Sequence, residues 1–343
     1  MNEVERLAER VRFFLPTFEA SGARLYRYLT LRAGTALEWP AEPFTQALAP
    51  FVDERPERFL WLRVLALVHR WVLAGELPQL RIYYPSAGGT IGPVARTWEL
   101  FRDAVVARAD ELPGLLALPH QHNEVGRAVP LARGFLHVSS EMSMPLRLLE
   151  VGASAGLLLR WDHYLHAVWP DVDGLPSMIG DVRVEERRGC DLHPVDPVTA
   201  DGRLYLHSMV WADLVEHLDA LDRAIAICAE VPAKVDQADG ADWLVDHARP
   251  RPGAATVVYH SLMRASCPPE SLSRIEEAVE RGGRMASAEA PFAYLRFEAA
   301  ASTGLDVDSA RRLVEVRLTT WPGGNEGLLA TCDVNGRNLR CLR

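Results

Sequence analysis

The segment from Leu146 to Trp169 constrains the fold most. Leu146–Val151 is a short continuous apolar run broken only by Arg147 and Glu150; Gly152-Ala153-Ser154-Ala155-Gly156 follows, and Leu157 to Trp169 resumes helical spacing. The run reads as a buried strand, and the periodic stretch behind it as a helix. A small-residue loop between the two lets a ligand reach backbone N–H groups at the positive end of the helix dipole. The alternation then continues. Arg187 to Pro194 reads as a strand end and turn, Leu214 to Ala229 as an amphipathic helix, and Lys234 to Asp239 and Thr256 to His260 as strands. Pro269 to Glu280 reads as a helix closed by Gly282-Gly283, with a further strand over Arg284 to Ala288. Val314 to Thr320 and Leu328 to Val334, joined by Pro322-Gly323-Gly324-Asn325, form a terminal hairpin. Strands alternating with helices predict a mainly parallel α/β sheet.

Upstream of Met144-Pro145 the spacing is helical instead, through Val4 to Phe18, Phe44 to Phe51, Phe59 to Leu73 and Val94 to Ala109. This predicts a helical domain over 1–143, able to select substrate or act as a lid, and a sheet domain over 144–343. Leu80 to Tyr84 alone looks strand-like there, and Pro85-Ser86-Ala87-Gly88-Gly89 after it reads either as a turn or as a loop bringing backbone close to a ligand. With 343 residues, 48% hydrophobic and 24% charged, the chain has material for both cores.

A net charge of -9 provides no field for a polyanion, so nucleic acid and anionic membranes are not expected partners. Lys234 is the single lysine, which argues against a P-loop or a lysine Schiff base. The five cysteines form no C-x-x-C pair and, with no export signal at the N-terminus, fit reduced thiols in the cytoplasm. His120, His122 and Glu124 are spaced too loosely to fix a metal, and none is expected.

The loop lacks the middle glycine of the dinucleotide fingerprint G-x-G-x-x-G, where Ser154 stands, which weakens an NAD reading. Leu149-Glu150-Val151-Gly152 instead resembles the class I S-adenosylmethionine (SAM) methyltransferases, with their acid two residues before a glycine-rich loop. The resemblance implies SAM as cofactor. Glu150, Gly152, Ser154 and Gly156 would surround its amino-acid portion, Asp191 of Gly189-Cys190-Asp191 would accept from the ribose hydroxyls, and Asp239 from the adenine amino group. It also implies an antiparallel last strand. Gly156 and Asp191 stand 35 residues apart, against about 20 in the dinucleotide fold, so either an insertion fills the gap or Asp173 is the ribose acid.

Tyr83-Tyr84-Pro85-Ser86, Gln121-His122-Asn123-Glu124-Val125-Gly126-Arg127, the Glu150 to Leu157 loop, Arg188 to Leu192 and His260-Ser261 together resemble a bacterial family, number 2332 among the domains of unknown function, along nearly the whole chain. That family has a helical N-terminal part and a methyltransferase-like C-terminal part. It tends to carry threonine where His122 stands and asparagine where Leu158 stands.

The same loop also spells G-x-S-x-G, the serine hydrolase elbow, and chain order permits a triad of Ser154, Asp239 and His260. Asn123, Glu124 and Arg127 read either as a helix start or as groups over the cofactor cleft, with Arg127 on a substrate carboxylate and Glu124 accepting a proton. His260, at the carboxyl end of the fourth strand, is the candidate general base, with Ser261 beside it; Glu289 would end the fifth strand facing substrate. The resulting expectation is SAM-dependent methyl transfer to a small polar or anionic metabolite. SAM-fold binding or sensing without turnover is the alternative, and a homo-oligomer is compatible with either.

Overall fold

A computed structural model describes residues 3–55, 59–117, 120–121, 123–167, 182–300 and 313–342. His122 and Asp173 lie outside the described residues. The helices are α1 (Glu3–Arg12), α2 (Leu15–Ala20), α3 (Arg24–Ala36), α4 (Pro43–Leu48), α5 (Leu60–Leu73), α6 (Pro78–Arg81), α7 (Val94–Val106), α8 (Leu112–Leu115), α9 (Ala128–Met142), α10 (Trp161–Ala167), α11 (Ala200–Met209), α12 (Val215–Glu230), α13 (Gly240–His247) and α14 (Pro269–Arg284). The strands are β1 (Leu146–Val151), β2 (Val184–Asp191), β3 (Lys234–Gln237), β4 (Ala255–Ser261), β5 (Phe292–Ala299), β6 (Val314–Trp321), β7 (Asn325–Cys332) and β8 (Arg340–Cys341).

Two compact units divide the chain, Met1–Asn123 with Thr199–Asp219, and Glu124–Val198 with Ala220–Arg343. The division thus precedes the 143/144 boundary read from sequence, because α9 packs on the sheet, and α11 returns to the first unit by packing on α5. In the first unit, Trp61, Val64, Leu65, Val68, Trp71 and Val72 recur at helical spacing on α5 and are buried with Phe18, Tyr26, Phe44, Trp98 and Phe101. Each such burial is worth roughly 1.5–3 kcal/mol. The strand expected over Leu80 to Tyr84 is absent: Pro78, with its fixed φ, opens the single turn α6. Pro85–Ala87 is a 3₁₀ turn closed by Gly88 at φ 80°, so the Pro85 to Gly89 segment has turn geometry.

The second unit holds an eight-stranded mixed sheet in the order β3-β2-β1-β4-β5-β6-β7-β8. β1 to β5 pair in parallel, and β6, β7 and β8 add antiparallel, including the C-terminal hairpin β6–β7. On one face Phe135 of α9 meets Tyr259 edge-on at 5.0 Å and stacks on Trp161 at 4.9 Å. On the other face, Leu149, Val151, Val258, Phe292 and Tyr294 pack with Trp243 and Leu244 of α13 and Ile275 and Val279 of α14. The chain leaves β1 toward β2 on one side and β4 lies on the other, so the crossover direction reverses between β1 and β4, the place where open α/β sheets take ligands.

The strand read over Arg284 to Ala288 is corrected. α14 runs through Gly282-Gly283 to Arg284, and β5 begins at Phe292. These glycines allow close approach rather than a helix stop. A Cβ at Gly282 would lie 2.8 Å from the Phe292 ring, and one at Gly283 2.5 Å from the Trp321 indole.

Candidate functional site

β1 delivers Glu150 into the interior, and the loop after it turns on left-handed residues, with φ of 74° at Gly152, 50° at Ser154 and 65° at Gly156. Gly152 and Ala153 N–H donate to the Cys190 carbonyl at 2.9 and 3.0 Å, tying the loop to the end of β2. Gly189 admits this approach, since a Cβ there would stand 2.6 Å from that of Ala153. Asp191 then accepts from Ser154 N–H at 2.9 Å and His193 N–H at 2.8 Å. The residue read as a ribose acceptor therefore also holds the loop in shape. Asp239 is the N-cap of α13: its Oδ1 accepts from Ala241 and Asp242 N–H at 3.0 and 3.2 Å.

Glu150 is 2% exposed, and the Tyr259 hydroxyl donates to its Oε2 at 3.1 Å. Burial is the main reason its carboxyl is pushed up to about 8, with the Tyr259 hydrogen bond, Arg160 and Arg127 opposing. Arg127 precedes α9 and is itself buried, which lowers its pKa against the pull of Glu124, Glu298 and Glu150. Its Nε donates to the Val334 carbonyl at 3.1 Å and its Nη1 to Ser261 Oγ at 3.4 Å. Glu124 accepts from Gly126 N–H at 2.9 Å, which opens the 3₁₀ turn leading into α9. Glu150, Tyr259, Arg127, Ser261 and Glu124 thus gather at the strand ends on the α9 side, where the buried Arg127 cation sits among carboxyl groups.

The sequence of an uncharacterized protein family conserved in bacteria, DUF2332, matches residues 8–340. The chain belongs to DUF2332. No curated protein matches it.

The remaining residues singled out from sequence in this DUF2332 chain lie elsewhere. His260 neighbours Tyr259 in β4 and so points to the opposite, α14 face. It is fully buried, its Nδ1 2.6 Å from Glu298 Oε1 and its Nε2 2.8 Å from the Tyr294 hydroxyl. With the carboxylate accepting at Nδ1, the hydroxyl donates to Nε2. Glu298 also accepts from Met263 N–H at 2.9 Å. Both imidazole nitrogens are therefore occupied, and Asp239 caps a helix, so the triad Ser154, Asp239 and His260 is not assembled. Asn123 closes the first unit and donates to the Gln121 carbonyl at 3.2 Å. Glu289 lies on the wrong end of β5 for a substrate contact: it precedes Phe292, and its carbonyl accepts from Gly253 N–H at 2.8 Å at the amino end of the sheet.

β5 begins eight residues after the start of the strand predicted over Arg284 to Ala288, so Tyr294 and Glu298 are not among the residues the sequence points to. The signal available was the alternation Phe292, Tyr294, Arg296, Glu298, which puts all four on one face.

Proposed function

We propose that the second unit binds SAM and transfers its methyl group to a small polar or anionic metabolite. The observation that carries this reading is the convergence, at the carboxyl ends of parallel β1, β2 and β3, of a left-handed small-residue loop with the acids Glu150, Asp191 and Asp239. Asp191 and Asp239 as acceptors, beside a Glu150 carboxyl that burial keeps protonated at neutral pH, suit a ligand that presents ribose hydroxyls and an amino group, and no phosphate. A carboxylate has about four lone-pair sites, so the backbone bonds of Asp191 and Asp239 are compatible with added ligand contacts. The antiparallel hairpin also fits, although β6 rather than the last strand of that hairpin runs against the parallel set.

When bound, SAM supplies an electrophilic methyl group. The chain's own residues then have to orient the nucleophile and accept its proton. Arg127 and Ser261 hold an anionic substrate group, and Glu124, on the same side, accepts the proton. His260 is assigned a positioning role, held by Glu298 at Nδ1 and accepting the Tyr294 hydroxyl at Nε2, and not the role of direct base.

Binding without turnover is the second reading, favoured by the closed hydrogen-bond set of His260. Calorimetry with SAM and with S-adenosylhomocysteine tests both readings, and absence of binding by either ligand rejects them. If SAM binds and Glu124→Gln leaves methyl transfer to an identified substrate intact, the assignment of the base is wrong.

A further inference from the structure

The first unit contains a buried polar cluster that methyl transfer does not use. His69 of α5 is fully buried; its Nε2 lies 2.7 Å from Ser86 Oγ, and its Nδ1 3.2 Å from the Ser208 carbonyl oxygen in α11. A carbonyl oxygen only accepts, so Nδ1 carries the proton and donates to Ser208. Nε2 then holds the lone pair and accepts from the Ser86 hydroxyl. Burial lowers the imidazole to about 4, which keeps it neutral at pH 7 with its Nε2 lone pair unprotonated. Ser86 is only half-buried, and its N–H donates to the Ala212 carbonyl at 2.8 Å, which pins the Pro85–Ala87 turn beside Asp213. A serine within hydrogen-bond reach of a base that a third group orients is the arrangement that activates a hydroxyl.

A second observation points to a guest. Tyr84 Oη and Asp213 Oδ1 are buried without a hydrogen-bond partner. The Tyr84 ring lies 5.7 Å from that of His69, and the other oxygen of Asp213 accepts from Leu25 N–H at 2.8 Å. Each unsatisfied buried group costs about 1–3 kcal/mol, so two side by side in one helical core mark a place for a polar molecule. A hydroxyl and a carboxylate oxygen suit a carbonyl together with a hydroxyl or ammonium group.

We propose that Ser86 and His69 are the nucleophile and base of an acyl-transfer site whose substrate is a small ester bearing a hydroxyl or amino group. Ser86 Oγ bonds to the ester carbonyl carbon as its proton passes to His69 Nε2. Collapse of the adduct breaks the bond to the alcohol oxygen, which leaves with that proton, and acyl-Ser86 remains. Water repeats the sequence: its oxygen bonds to the acyl carbon, its proton passes through His69 back to Ser86 Oγ, and the carboxylic acid is released. Tyr84 and Asp213 hold the polar group of the substrate.

The test uses the full chain with a fluorophosphonate probe, adduct mapping by mass spectrometry, and p-nitrophenyl acetate turnover. The expected result is one adduct on Ser86, lost in Ser86→Ala and slowed at least about 100-fold in His69→Gln. An initial burst of about one p-nitrophenol per chain accompanies it. Folded wild-type protein that gives no adduct on Ser86, or a label that survives Ser86→Ala, overturns the proposal whether or not the His69 variant folds. SAM calorimetry on Ser86→Ala keeps this outcome separate from the methyltransferase reading, since that binding is expected to be unaffected.

Discussion

Replacing Glu150 by glutamine tests how the sheet unit tolerates a buried acid. In the folded chain the Glu150 carboxyl titrates at about 8, against 4.5 when exposed. Between these values the folded protein keeps a proton that the unfolded chain has released, so stability falls as pH rises through the window and levels off above 8. At 1.36 kcal/mol per unit, the full shift corresponds to about 5 kcal/mol, a large share of the roughly 5–15 kcal/mol that holds a domain folded. Glutamine fills the same volume, accepts the Tyr259 hydroxyl through its carbonyl and cannot ionise. Urea unfolding at pH 5 to 9, read from hydrogen exchange of the β1 and β4 amides, isolates this unit even if the two unfold separately. The advantage of Glu150→Gln over wild type is expected to grow by about 1.4 kcal/mol per pH unit up to 8. A difference that stays constant with pH would refute the reasoning, because it would mean that Glu150 ionises equally in both states.

In the first unit the sign is reversed. His69 titrates near 4 when folded and 6.5 when exposed, so its contribution is complete above 6.5 and about 3 kcal/mol is lost as pH falls toward 4. Acid titration of wild type and His69→Gln, followed by exchange of the α5 amides, reads this directly. Asp239→Ala removes the α13 cap and is expected to cost about 1 kcal/mol in urea unfolding. Asp239→Ser keeps that cap while weakening SAM in calorimetry, which separates the two roles. Gly283→Ala drives a Cβ into the Trp321 indole and is expected to lower stability by roughly 1–3 kcal/mol, measured as a drop in Tm.

How much was legible varied with how local the information was. β1 is bounded as its apolar run suggests, from Leu146 to Val151, because both ends are marked by residues that cannot continue a strand, Pro145 before it and Gly152 after. The C-terminal hairpin is similarly marked by Pro322-Gly323-Gly324. Gly282-Gly283 misled because two adjacent glycines look alike whether they end a helix or let it press against a ring. The partner that decides, Trp321, lies in β6 of the antiparallel hairpin. That one error displaced β5 and with it Glu289, Tyr294 and Glu298.

By itself, the sequence determined the α/β class, the helical N-terminal part and the loop that follows β1, since hydrophobic period and glycine placement act between near neighbours in the chain. Only the tertiary structure decided which polar groups are already taken. Asp191 meets Ser154 N–H from 37 residues away, His260 meets Glu298 across 38, and His69 meets the Ser208 carbonyl across 139. These separations have no periodic signature. They exist because burying a polar group requires a partner, and in a folded chain that partner comes from whichever segment packs alongside.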